Sequence, residues 1–167
     1  MPQRLTAVIG TVTALAGSLF VATPASATPA SAGTASVASD TYYYKNLVSG
    51  RCLTEGNSPY NYTVVRRCDG SASQQWSHEY LGGSFTVRNQ FSGQCLETSR
   101  GHGGQPWGYP CNGGVGEKWI MRNNGNGRVS FESVSYPGQC LEADPLGRAE
   151  EVVLWDCSYA ANQLWYS

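Results

Sequence analysis

The 167-residue chain has little histidine, no excess of positive charge and no sustained helical periodicity. Each absence removes a class of function or fold. Eleven Lys and Arg stand against twelve Asp and Glu, a formal net charge of −1. No clustered basic surface exists to hold a phosphate backbone, so nucleic acid is excluded as a partner. Only two histidines occur, His78 and His102, neither within a metal-binding pattern, and both are expected to be solvated, one at a strand end and one in a loop. No G-x-S-x-G, H-E-x-x-H or Walker-type glycine loop is present, so the chain carries no recognisable catalytic motif, metal site or cofactor site. Without a 3.6-residue apolar period, what remains is a set of short strand-like runs divided by Gly, Asn, Ser and Pro. The fold class is all-β.

Long apolar runs are also missing beyond the first few residues. Arg4 precedes an apolar stretch over 5–21 and then TPASA, the layout of a secretory signal peptide spanning 1–27. At about 17 residues, interrupted by Gly and Thr, the stretch fits a cleaved leader better than a membrane anchor. The mature chain then begins at Thr28 or Gly33 and has no membrane partner after cleavage. Residues 28–40 are almost all Ala, Ser, Thr, Gly and Pro, a flexible segment that cannot bury enough apolar surface to order itself. Residues 41–167 are the size of one domain.

Within that domain GRCLT at 50–54, GQCLE at 93–97 and GQCLE at 138–142 are copies of one phrase. Cys52, Cys95 and Cys140 are followed by Cys68, Cys111 and Cys157, and then by Trp76, Trp119 and Trp165. These landmarks advance by 43 residues from the first copy to the second and by 45 or 46 to the third. A fixed period of this kind marks three repeats of one unit, approximately 42–83, 84–128 and 129–167. In the third unit the strand-like runs are GRVSFESV, QCLEA, EVVLWDC and NQLWYS. Four strands in each of three units make about twelve. The last copy is the most complete rather than a polar cap, which favours closure about a three-fold axis over an open solenoid.

Six cysteines behind a signal peptide imply disulfides, and of fifteen connectivities only one repeats in every unit: Cys52–Cys68, Cys95–Cys111 and Cys140–Cys157. Intervals of 16 or 17 without a C-x-x-C match no zinc pattern. Gln74 before Trp76, Glu117 before Trp119 and Gln163 before Trp165 put a polar group two residues ahead of each tryptophan, on one strand face of a symmetric core. Asn61-Tyr62-Thr63 is a glycosylation sequon and is expected in an exposed loop.

The unit G-x-C-L, an aromatic-Asp-Cys step and Asn-Gln-x-Trp, best seen in VVLWDCSYAANQLW at 152–165, resembles the ricin-type lectin repeat. The resemblance implies a β-trefoil of three four-stranded units. It also implies a shallow sugar pocket in each unit, built from an acid two residues after the first Cys, an aromatic two before the second, and an Asn ahead of the Gln. A carboxylate accepts from adjacent sugar hydroxyls, an amide both donates and accepts, and a ring offers an apolar platform to a pyranose. Carried over, the third unit supplies Glu142, Trp155 and Asn162, with Glu where the family usually has Asp, Val153 where it often has Gln, and Asp144 as a second acid nearby. The second supplies Glu97 and Tyr109 but has Gly116 for the Asn, with Trp107 close by. The first has Thr54, Arg66 and Ser73 and lacks both acid and ring. The implied function is a secreted, extracellular, non-catalytic lectin binding a glycan or polysaccharide mainly through the third unit. The alternative is a protein-binding trefoil, a protease inhibitor or toxin accessory subunit, with degenerate sugar sites. Glycoside hydrolysis would need two acids within about 10 Å of each other, and Glu97 and Glu142 belong to different units.

Overall fold

The chain is described by a computed structural model over residues 40–57, 60–145, 147 and 149–167. The expected signal peptide and, Asp40 apart, the segment after it lie outside the described residues. The first unit forms β1 (Lys45–Asn46), β2 (Cys52–Glu55), β3 (Thr63–Arg66) and β4 (Trp76–Tyr80). The second forms β5 (Phe85–Asn89), β6 (Cys95–Glu97), β7 (Trp107–Tyr109) and β8 (Trp119–Asn123). The third forms β9 (Arg128–Ser133), β10 (Gln139–Ala143), β11 (Val152–Asp156) and β12 (Trp165–Tyr166).

Antiparallel pairing runs β1–β12–β9–β8–β5–β4. Tyr42 closes this ring by exchanging backbone hydrogen bonds of 2.8 and 3.0 Å with Trp76. The other six strands are the hairpins β2–β3, β6–β7 and β10–β11. Bridges Tyr62↔Trp107 and Val64↔Glu151, and hydrogen bonds of Leu154 with Gly103 and Gly104, tie the hairpins to one another. A closed six-stranded barrel capped by three equivalent hairpins is the β-trefoil, and closure leaves its barrel without a free edge. Among the described residues no helix is long and apolar enough to cross a membrane.

The glycine, cysteine and leucine of the repeated phrase each have a physical reason. Its glycine, Gly50, Gly93 or Gly138, has φ of +62°, +71° or +81°, a left-handed turn that an L side chain adopts at a cost. Its cysteine is bridged within the unit, Cys52–Cys68, Cys95–Cys111 and Cys140–Cys157. Its leucine, Leu53, Leu96 or Leu141, is fully buried. The carbonyl of that leucine accepts the indole N–H of the unit's own tryptophan: Trp76 at 3.0 Å, Trp119 at 2.8 Å and Trp165 at 3.2 Å. All three indoles are fully buried, so each supplies a large apolar area and has its one polar atom satisfied.

Two expectations are corrected. Gln74, Glu117 and Gln163 do not lie on a strand with their tryptophans; they end one-turn 3-10 helices, Ala72–Gln74, Val115–Glu117 and Ala161–Gln163, so the run NQLWYS is strand only at Trp165–Tyr166. The turn aims the amide back at the segment after the second cysteine, where Asp69 N–H donates to Gln74 at 2.9 Å and Ser158 N–H to Gln163 at 2.8 Å. Asn61 is half-buried rather than in an exposed loop, because Tyr62 is bridged to Trp107 and Asn61 Nδ2 donates to Gln94 Oε1 at 2.9 Å.

His78 also departs from the expected solvated strand end. It is half-buried, stacked on Tyr42 at 4.7 Å between ring centroids, with its Nε2 2.5 Å from the Tyr44 hydroxyl. Burial lowers its pKa from the usual 6.5 to about 4, while burial and Tyr42 raise that of Tyr44. The imidazole is therefore neutral and shares a hydrogen bond with a phenol that keeps its proton. Between pH 6.5 and 4 the unfolded chain takes up a proton that the folded chain refuses, so stability falls as pH drops through that window. His78→Gln is expected to flatten this part of the melting temperature against pH curve; an unchanged slope contradicts it. Trp119→Phe strands the buried Leu96 carbonyl and is expected to cost about 2 kcal/mol or more in denaturant unfolding. A near-neutral result would remove the indole bond from the account of the core.

Candidate carbohydrate-binding site

In the third unit Glu142 lies opposite Val153, and Cys140 opposite Trp155, on paired strands β10 and β11. Directly opposed and alternate residues share a sheet face, so Glu142, Val153 and Trp155 point away from the core that Leu141 and Leu154 enter. Gln163 uses its whole amide to set this corner. Its Oε1 accepts from Ser158 and Tyr159 N–H at 2.8 and 3.0 Å. Its Nε2 donates to the Asp156 carbonyl at 2.8 Å and to Glu142 Oε2 at 2.7 Å. The carboxylate is thus fixed through one oxygen, and Glu142 as a residue is 9% exposed. Asn162, 8% exposed, sits beside Gln163 on the 3-10 turn, and Asn46 from the first unit braces that turn by donating to the Asn162 carbonyl at 2.8 Å. Trp155 is 43% exposed. A depression of about 160 Å³ adjoins the acid, lined in part by Glu142, Asp144 and Val153. Asp144 is occupied in its own loop, accepting from Ala149 N–H at 2.9 Å.

His102 is the exposed loop residue its sequence suggests, but it also makes a contact that the sequence does not reveal. The RGHGG loop of the second unit carries it onto Trp155, ring centroids 3.7 Å apart and planes at 38°, with Nε2 4.0 Å from an Asp156 carboxylate oxygen. The exposed ring of Trp155 in the third unit is therefore packed against a residue of the second. Spacing within a repeat cannot reveal such a contact.

The second unit has the same frame with one changed atom set. Glu117 stands where Gln163 stands, accepting from Asn112 N–H at 2.6 Å and Gly113 N–H at 3.2 Å, but it has no N–H to offer. Glu97 faces it and leaves a buried Oε2 without a partner. Burial first and the Glu117 charge second push the Glu97 carboxyl upward. Gly116 does more than omit the amide. A Cβ there would lie 2.7 Å from the Thr98 carbonyl and 3.1 Å from Glu97 Cγ, so an asparagine does not fit this backbone. Tyr109, half-exposed and opposite Cys95, lines a different cavity from the corner Glu97 turns into. In the first unit Arg66 replaces the ring and pairs with Glu150 at 3.4 Å, and Gln74 Nε2 meets Thr54 Oγ1 at 3.3 Å in place of an acid.

The model of the ricin-type beta-trefoil lectin domain matches residues 40–165. The chain belongs to that family. Among curated protein sequences none matches this lectin domain. Among solved structures it is similar to ThreeFoil, a designed three-fold symmetric protein, at TM-score 0.70 and 22% identity over 75% of this chain and 96% of that one. An exo-β-1,3-galactanase from Clostridium thermocellum aligns at TM-score 0.67 and 25% identity, over 75% of this chain but 29% of the galactanase. The ricin B-like lectin of Macrolepiota procera, solved with lactose, aligns at TM-score 0.63 and 20% identity over 77% of this chain and 94% of that one. The lectin domain thus spans nearly all of two of these structures and under a third of the enzyme.

Glu117 is the position at which the lectin's own repeats give a correction. Gln163 shows that one amide oxygen can receive both backbone N–H groups, so Glu117→Gln keeps those bonds, removes the facing charge and supplies a donor to Glu97. Glu97, with its pKa raised, contributes stability below the ordinary carboxyl range and loses it as pH rises through the raised value. The variant is expected to gain about 1 kcal/mol at neutral pH, with the gap to the parent closing as pH falls towards 4. A variant that melts below its parent at pH 7 would reject this reading of the pair.

Proposed function

We infer that the chain is a secreted, extracellular carbohydrate-binding protein without catalytic activity, residues 41–167 being its single domain and the third unit its principal sugar site. The observation that carries this reading is the Gln163 to Glu142 hydrogen bond of 2.7 Å, beside a Trp155 that stays 43% exposed. A bonded carboxylate has its direction set before any ligand arrives, which lowers the ordering cost of binding. Three intra-unit disulfides suit an oxidising, extracellular setting. Glu97 and Glu142, the repeated acids, sit on different units and face Glu117 and Gln163 respectively, an arrangement that supports binding over hydrolysis. No cofactor enters this reading.

Because the Macrolepiota procera lectin was solved with lactose and the Clostridium thermocellum enzyme is a galactanase, β-galactosides are the first ligands to test. On a glycan array followed by calorimetry with the best galactoside, Trp155→Ala is expected to weaken binding about tenfold or more. Equal affinity in parent and variant would remove the third unit from the site. An array without any glycan binding would return the protein-binding alternative.

A further inference from the structure

A cavity of about 910 Å³ lies mainly between the first and second units; it borders the third-unit corner through Glu151, which also lines the depression at Glu142, and through His102, whose ring lies on Trp155. Its floor and walls are set by backbone. β7 pairs with β6 on one edge. On its other side residues 60–62 are tied down by Gly108 N–H to Asn61 O at 3.0 Å and Thr63 N–H to Pro106 O at 2.8 Å. The opposite wall, the loop that carries Arg100 and Gln105, is tied to β11 by Gly103 N–H to Leu154 O at 2.7 Å and Leu154 N–H to Gly104 O at 2.8 Å. Gly108 permits the approach underneath: a Cβ there would lie 2.0 Å from Glu55 Oε1. The cavity is thus formed before any ligand enters.

Tyr60, Tyr62, Trp107 and Tyr109 line it, together with the imidazole of His102. Trp107 and Tyr109 are alternate residues of one strand and share a face, while Tyr62 is directly opposite Trp107 across the bridge. Tyr60 and Tyr62 hold their ring centroids 5.6 Å apart, and Tyr60 is 68% exposed. Tyr60 and Tyr62 thus form one pair of neighbouring rings, and Trp107 and Tyr109 line the same cavity from the adjoining strand. Between them stand hydrogen-bonding groups of both kinds, the Arg100 guanidinium, the Gln105 amide and the Glu151 carboxylate. Clustered rings also suit single-stranded nucleic acid, but that ligand needs a positive groove. Here one arginine is set against one glutamate.

The geometry points to a second carbohydrate site in this groove, one that takes an internal stretch of a neutral polysaccharide across several sugar rings. The volume lies near the top of the range of about 300 to 1,000 Å³ for ligand cavities and far exceeds the 160 Å³ depression at Glu142. The rings of this groove come from two units, Tyr60 and Tyr62 with Trp107 and Tyr109, in place of the single ring of a one-unit pocket. The proposal rests on the carbohydrate reading of the domain but not on its third-unit site.

The test is nuclear magnetic resonance titration of the full chain with lactose, xylohexaose, cellohexaose and β-1,3-linked galactohexaose. At least one hexaose is expected to shift the Trp107 indole and the Tyr60 and Gly108 amides, with Tyr60→Ser weakening that binding about fivefold. Tyr60→Ser alters an exposed ring, and the dispersion of the remaining spectrum reports directly that the variant is folded. Hexaose shifts confined to Trp155, Glu142 and Gln163 would overturn the groove and leave the third-unit site standing. Groove shifts without any at Trp155 would do the reverse. No shift at either place with any probe would overturn both.

Discussion

The bond from each buried indole N–H to the carbonyl of a leucine 23 or 24 residues earlier is the constraint on which the rest of this domain depends. It couples the strand that enters the hairpin to the strand that leaves the unit, and it does so in a fully dry core, where an unmade hydrogen bond is costly. Because the same bond is made three times, each unit presents its hairpin to the others in the same way. The disulfide beside it then fixes the hairpin's two strands, so the residues flanking the cysteines, where sugar pockets are expected, are held at both ends.

Against that symmetric frame the units diverge at the residue that braces the pocket. Gln74 meets Thr54, Gln163 meets Glu142, and Glu117 meets Glu97. An amide can satisfy an acid and two backbone N–H groups together, whereas a second acid can only accept. The third unit therefore keeps a directed carboxylate. In the second unit the carboxyl is turned inward, and Gly116 lets the Thr98 backbone close to a 3.1 Å hydrogen bond where an asparagine would need room. Degeneracy here is a local change in hydrogen-bond inventory rather than a change in fold.

Neighbouring units also lend one another parts. His102 of the second unit lies on Trp155 of the third, Asn46 of the first braces the turn that holds Asn162, and Tyr62 of the first runs beside Trp107 of the second. The hairpins meet edge to edge around the axis, so their loops fill the spaces between units as well as the mouths of their own pockets.

Much of this was legible in the chain itself. The interval between copies, the cysteine spacing and the recurring tryptophan determined an all-β, three-unit fold with intra-unit disulfides, because each of those contacts lies within one short repeat and recurs at a fixed offset. Asn46 and Asn89, each six residues before the first cysteine of its unit, also recur at a fixed offset, but the bonds they donate, to the Asn162 and Ser73 carbonyls, cross between units. What only the tertiary structure decided is what crosses between units or depends on space: the 3-10 turns under the glutamines, the burial of His78, the His102 cover on Trp155, the closed corner at Gly116 and the groove beside Trp107. Periodicity identifies equivalent residues, but it carries no information about which side chains of different copies are pressed together when the ring closes.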